Sequence, residues 1–349
     1  MKKLATFVVM LLIITIGCDD NCIRPIPMPS NSESLFLFVK CLLNPITGLA
    51  VSRENEDFTT VYKNSLAVMA LIHEKNQIEA ERIFDVFQDY YNEQGMNFRG
   101  FHQVWNPCTG LPDTTSNKWE GDNAFLLLAL NYYRHSYGSF GNYQSLAQGL
   151  ATWLSIRADS CNQIVAEGIA DMYAALVPFA SDPTIQQSLL KLRSCFFSSG
   201  QTSSVLYEHV LDHIVRGILV FCDTAGIKSV GNFRRTEIWP VDNSRITAYS
   251  AFSGDQFINV EISTQLLLAL KMWQQELELD VSGLQKELEK LLLSGRCNSR
   301  SSGLPYFVTD RGDFPEASSL PIIDPTCYLL FYYWEFNPFA PDRRCAEGQ

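Results

Sequence analysis

The chain has 349 residues, ten cysteines, five histidines and a formal net charge of −11. A hydrophobic share of 46% and an aromatic share of 12% belong to a folded chain with a large core, not to a disordered one. The acidic balance argues against a nucleic-acid partner, which needs a basic surface. The cysteines show no CxxC or CxxxH spacing, which disfavours a zinc site, and the chain carries no P-loop or Rossmann fingerprint, so no cofactor is expected.

The N-terminus stands apart from the rest. Lys2 and Lys3 precede the apolar run 4–16, too short for a typical membrane-spanning helix and shaped like a secretory signal. The run closes on Thr15-Ile16-Gly17-Cys18, which resembles the lipobox of bacterial lipoproteins. That resemblance implies a signal peptide at 1–17 and a lipid anchor on Cys18. The chain would be exported and held on the periplasmic or cell-surface side of a bacterial membrane. Residues 18–33, with prolines at 25, 27 and 29, read as a tether. Residues 34–340 form one domain, and 341–349 a C-terminal tail. Export permits disulfides, but the sequence does not pair them. Cys41, Cys222 and Cys327 sit in apolar runs, where a reduced cysteine packs as a small hydrophobe.

Within the domain two kinds of helix alternate. Residues 34–42 read as a short apolar helix and 58–72 as one apolar on most sides. Residues 78–91 are amphipathic, with Ala80, Ile83, Phe84, Phe87 and Tyr90 on one stripe. After the loop 92–117 comes KWEGDNAFLLLALNYYRHSYG, residues 118–138. It is acidic at its head and then apolar all round, the pattern of a helix buried on every side. Tyr143, Leu146, Ala147, Leu150, Trp153 and Leu154 follow at amphipathic spacing. The alternation continues with an inner helix at 167–180 and an outer one at 185–196. Residues 205–221 are helical, 224–243 read as a loop or small hairpin, and 245–252 form a short element. Then come inner 257–273, outer 281–293 and inner 322–335, stopped by Asn337-Pro338.

About twelve helices, outer and inner in turn and with no convincing strand, predict an all-α (α/α)6 toroid. The outer-to-inner connections are the long ones (44–57, 92–120, 158–166 and 296–320). Long loops functionalise one end of a scaffold, here the start of the inner helices. The long segment 224–243 falls at the opposite end and breaks the rule.

At that functional end stand Glu120, Asp122, Glu167, Asp171 and Glu261; Asp242 lies in the loop that carries Arg234, Arg235 and Trp239. Glycosidic bond cleavage needs paired carboxylates, one to protonate the leaving oxygen and one to attack or activate water. The candidate catalytic set is therefore Glu167, Asp171, Asp122, Asp242 and Glu261, with Glu167 as the acid. Trp105, Trp119, Trp239 and Tyr306 offer flat faces for sugar rings, and Lys63 and Arg235 are candidate substrate-binding cations. The helix dipole alone also favours acidic residues at helix starts. Glu167 and Asp171, spaced i, i+4, share one helix face and repel. One of them should bind a cation, Lys63 or an arginine of 234–235, or keep its proton. His209 and His213 share a helix face without a third ligand, which favours packing over metal.

Read in order, six segments carry a family resemblance: VYKNSLAVMALI (61–72), WEGDNAFLLLALNYY (119–133), AEGIADMYAAL (166–176), VEISTQLLLAL (260–270), GLPYF (303–307) and FNPF (336–339). They resemble the six-hairpin glycosidase superfamily. The resemblance implies a carbohydrate-active enzyme, a glycoside hydrolase acting on an oligo- or polysaccharide without a cofactor. It puts Asp122, Glu167, Asp171, Asp242 and Glu261 in the cavity. Lys63 stands where such sequences often carry an acidic residue, and Ile262 follows Glu261 where glycine is usual. These departures support a second expectation, a non-catalytic glycan-binding surface lipoprotein on the same scaffold.

Overall fold

The computed structural model of the chain describes residues 30–54, 56–201, 210–295, 299–309, 319–341 and 343–346. The signal segment, Cys18, most of the tether, and positions 205–209 of the expected eighth helix, His209 included, lie outside the described residues. No helix among the described residues is long and apolar enough to cross a membrane.

The elements alternate as the sequence predicts. Outer α1 (Asn31–Cys41) leads to inner α2 (Val61–His73), and outer α3 (Gln77–Gln94) to inner α4 (Glu120–Tyr137). Outer α5 (Gln144–Arg157) leads to inner α6 (Ala166–Leu176), and outer α7 (Pro183–Gln201) to inner α8 (Leu211–Phe221). Inner α9 (Val260–Met272), outer α10 (Ser282–Glu289) and inner α11 (Ile323–Tyr333) follow. The inner helices pack in the order α2–α4–α6–α8–α9–α11 and back to α2, a closed ring. The chain is thus an all-α toroid. Ring closure explains the all-round apolarity: Leu66 to Ile72 of α2 and Ala124 to Leu127 of α4 are fully buried. Each such aliphatic side chain contributes about 1.5–3 kcal/mol.

Two local expectations are corrected. Between α8 and α9 the outer place is held by 3₁₀ turns, Ala225–Phe233, and by a hairpin of β4 (Arg234–Ile238) and β5 (Arg245–Tyr249). Segment 224–243 is therefore the substitute for an outer helix, not a misplaced loop. In β5 the alternation buries Ile246 and Ala248 against the ring and leaves Arg245 exposed, a period of two that no helix can use. Short strands also stitch the long loops together, where no strand was expected. β1 (Thr59–Thr60) pairs with β2 (Val104–Asn106), and β2 with β3 (Leu111–Pro112). β6 (Ile258–Asn259) pairs with β9 (Phe307–Val308). Ladders of two or three residues carry too little pattern to read; proximity of the loops creates them.

Buried polar side chains in the first turns of inner helices clamp the preceding loops. Asn64 accepts from the Ala50 backbone N–H at 2.8 Å and donates to Thr59 and Thr60. Asn123 does the same for the next loop, accepting from the Phe101 N–H at 2.7 Å and donating to the Phe101 carbonyl. Thr326 accepts from Leu304 N–H at 3.0 Å. These clamps satisfy backbone groups that would otherwise be buried unpaired, and they fix the loops around the mouth of the ring. Disulfides hold the periphery: Cys161–Cys195 ties the turn after α5 to α7, and Cys222–Cys345 ties the end of α8 to the C-terminal tail. Cys41 is also disulfide-bonded. Of the three cysteines in apolar runs, only Cys327 is a free, buried thiol.

Candidate active site

Each inner helix places an ionisable or phenolic side chain in its first turn at the same end of the ring. These are Tyr62 and Lys63 on α2, Asp122 on α4, Glu167 on α6, Asp212 on α8, Glu261 on α9 and Asp324 on α11. Gly121 and Gly168 let the first turns of α4 and α6 approach closely. A Cβ added at Gly121 would lie 3.4 Å from Asp171 Oδ2 and 3.7 Å from Gly168 Cα.

The centre of the cluster is Arg216, fully buried in the middle of α8. Its Nε donates to Asp171 Oδ1 at 2.9 Å, its Nη2 to Glu167 Oε1 at 2.8 Å and its Nη1 to Gln265 Oε1 at 2.6 Å. Asp212 Oδ1 lies 3.7 Å from Nη1. Phe339 and Phe125 flank the guanidinium at 4.9 and 5.9 Å. An arginine without water is tolerated only when its donors are matched in this way. Burial works against its charge, but Asp171, Asp212, Tyr328 and Glu167 outweigh that and raise its pKa. Asp171 is only 2% exposed; burial pushes its carboxyl up, with Arg216 pulling it back. Glu167 differs from its neighbour, with a side chain 44% exposed.

On the far side of the ring, Tyr62 donates to Glu261 Oε1 at 2.8 Å, and its Oη lies 3.1 Å from that of Tyr328. Gln265 Nε2 also donates to Glu261 Oε1, at 3.1 Å, and Tyr306 hydrogen-bonds to the same carboxyl. Burial first, then the charge of Asp324, pushes Glu261 up to about 7. Lys63 Nζ lies 3.7 Å from Asp324 Oδ2, while Asp324 Oδ1 has no hydrogen-bond partner among the described residues. Burial raises the Asp324 pKa against the pull of Lys63. Asp122 receives the backbone N–H of Tyr62, yet burial, then Glu167 and Asp324, push it up to about 7; its Oδ2 is likewise unpartnered among the described residues. The mutual influence of carboxyls from α4, α6, α9 and α11 makes them one electrostatic unit.

The expected cation for Glu167 and Asp171 is thus present but is neither Lys63 nor an arginine of 234–235. Lys63 serves Asp324 instead. Arg235 is engaged by backbone, donating to the carbonyls of Asp255 at 2.8 Å, Arg234 at 2.8 Å, Asn232 and Ser253. Asp242 is not part of the cluster: it forms the hairpin turn, accepting from Ser244 N–H at 2.9 Å, and that bonding lowers its pKa. Trp239, 3% exposed, is a core residue of the same hairpin. Both follow from the hairpin's place outside the ring, against α9 and α10. Trp105 is no stacking platform either. It is fully buried among Phe87, Tyr90 and Phe101, with Nε1 donating to the His102 carbonyl at 2.7 Å. Trp119, at the N-cap of α4, is 49% exposed, and Tyr306 reaches the cluster. Glu120 pairs with Arg157, and His213 packs against Phe196 at 4.3 Å.

Sequence reasoning missed Tyr62, Asp212, Arg216 and Asp324. Three of them carried a signal. Asp212 and Arg216 stand i, i+4 in an otherwise apolar helix, and Asp324 occupies the same first-turn place as Asp122 and Glu261. Two surface hollows, about 550 and 360 Å³, lie instead at the C-terminal ends of inner helices, one beside Arg134 and Phe179, the other beside His73 and Trp334.

Fold and cluster together define an all-α toroid with ionisable side chains gathered at one end of its inner ring. A solved structure described as a wild-type glycosidase matches with a TM-score of 0.62 at 10% identity, over 87% of this chain and 95% of that one. A glycosidase variant in complex with glucose matches with a TM-score of 0.59 at 9% identity, over 89% and 95%. At such identities the likeness is one of fold. No protein-family model and no curated protein matches the chain.

Proposed function

We propose that the chain is a glycoside hydrolase whose substrate enters at the first turns of the inner helices. One observation carries the reading: carboxylates from five inner helices converge, and in a ring of six, α6 and α11 are opposite. Glu167 and Asp324 therefore flank whatever occupies the ring axis, as glycosidic cleavage requires. Glu167 is the partly exposed member and donates its proton to the leaving oxygen as the C–O bond breaks. Asp324, held by Lys63 through one oxygen with the other unpartnered among the described residues, takes the proton of the water that adds at the anomeric carbon. Opposite placement favours the wider carboxylate separation that admits a water. Asp122 and Glu261 hold sugar hydroxyls, with Trp119 and Tyr306 beside them. Asp171 is assigned to Arg216 and not to substrate.

Residues 1–17 and Cys18 support export and lipid anchoring, and a carbohydrate is the expected partner. The glucose complex of a fold neighbour is in keeping with this.

A panel of glycans and aryl glycosides tests the reading with wild type, Glu167→Gln and Asp324→Asn. Turnover by wild type that both variants lose supports it. Binding without turnover across the panel favours the alternative, a glycan-binding module, which the Lys63–Asp324 pair motivates: a cation occupies a carboxylate the chemistry uses.

A further inference from the structure

Three carboxyls surround one guanidinium in the α6–α8 part of the cluster. Arg216 is fully buried and spends its best geometry on Asp171, Glu167 and the neutral Gln265. Asp212 is left at 3.7 Å from Nη1, with its carboxyl in hydrogen-bond contact with Glu167. One positive charge neutralises Asp171, the most buried of the three. If Asp212 and Glu167 were both ionised, two like charges would touch at the edge of a buried site with no further cation against them among the described residues. Two carboxyls in such contact share a proton instead.

We infer that Asp212 is the positioning residue of Glu167: the two carboxyls share one proton, and Arg216 fixes the pair toward the mouth of the ring. The inference rests on the reading of Glu167 as proton donor, and it adds the source of that proton. The pair also faces Asp171 on its own side, Glu261 from α9, Asp122 from α4 and Tyr306 from the loop before α11. Arg216 is the cation in contact with it. Burial and Glu167, in that order, raise the Asp212 pKa, with Arg216 opposing. During turnover the shared proton passes through Glu167 to the leaving oxygen, and both carboxyls are then ionised. Asp212 takes a proton from solvent and restores the shared pair, while Asp324 returns to solvent the proton it took from water, so the cycle conserves protons. Only Glu167 touches the reacting bond.

Carboxyl-carbon NMR titration of wild type, Glu167→Gln and Glu167→Asp tests the pairing without reference to activity. The Asp212 carboxyl should titrate in two steps in wild type, in one step in Glu167→Gln, and again in two in Glu167→Asp. On a turned-over glycoside, Asp212→Asn should lower kcat at least tenfold with KM within twofold. The basic limb of its pH profile should move down by about one unit, and Asp212→Glu should restore most of both. An Asp212 titration identical in wild type and Glu167→Gln overturns the inference, as does a single step in wild type, which needs no variant to fold. A two-step titration with no turnover of any glycoside sustains the pair and removes the hydrolase reading. Turnover with an unaltered pH profile in Asp212→Asn removes the pair alone.

Discussion

Arg216 Nη2 and Glu167 Oε1 lie 2.8 Å apart, joining a fully buried cation on α8 to a carboxylate on α6 whose side chain is 44% exposed. The same guanidinium holds Asp171, 2% exposed, through Nε. One arginine therefore holds two acidic residues a single helical turn apart, one buried and one partly exposed.

Replacing that arginine should be costly. Arg216→Met keeps the volume but leaves Asp171 without its cation in a dry site, and should lose about 3–5 kcal/mol of stability. Urea denaturation measures it. Adding Asp171→Asn to Arg216→Met should recover part of the loss, because the orphaned charge is gone.

Glu167→Gln should behave in the opposite way. The side chain is partly exposed and contributes one of several bonds to Arg216, so stability should stay within about 1 kcal/mol of wild type. Turnover of whichever glycoside the panel identifies should vanish. Thermal melts and initial rates on one preparation check both; full activity in the variant would make Glu167 a helix-start acid and no more.

Asp122 predicts a pH dependence of stability. Its folded pKa is raised to about 7, by burial first, from an unfolded value near 4. Between those values the folded state keeps a proton that the unfolded state releases. Stability is therefore greatest below about pH 4 as far as this group is concerned, and it falls as pH rises toward 7 by at most about 1.4 kcal/mol per unit. Asp122→Asn should flatten that slope and be the more stable protein at pH 8. Guanidinium denaturation of both at pH 5 and pH 8 would reveal it.

Two tryptophans should separate cleanly. Trp105→Ala removes a fully buried ring from a cluster of four aromatics and should cost about 3–5 kcal/mol. Trp119→Ala, at an exposed position, should leave stability within about 0.5 kcal/mol and raise KM. Denaturation curves and steady-state kinetics distinguish the two.

Reduction should act through the unfolded chain. Cys161–Cys195 and Cys222–Cys345 close separations of 34 and 123 residues. On loop entropy these are worth about 4 and about 5 kcal/mol. Cys222→Ala/Cys345→Ala should lower the melting temperature more than Cys161→Ala/Cys195→Ala, as scanning calorimetry would record.

The sequence by itself determined the toroid. A helix buried on all sides must be apolar all round and one on the outside must be striped, so the alternation of α2 through α7 was written in side-chain periodicity. The end of the ring where the carboxyls gather was legible too, because long connections and first-turn acids fell together. Asp122, Glu167 and Glu261 could be named for that reason. The rest was decided only by the tertiary structure. Trp105 and Trp239 have the composition of sugar platforms, but whether a ring faces solvent or core depends on what packs over it. Asp242 and Arg235 belong to the hairpin that 224–243 suggested, but that it stands outside the ring, in the place of an outer helix, is a matter of packing. The pairing of Arg216 with Glu167 and Asp171, and of Lys63 with Asp324, joins residues far apart in the chain. Such contacts are set by which inner helices become neighbours when the ring closes, and no local pattern encodes that.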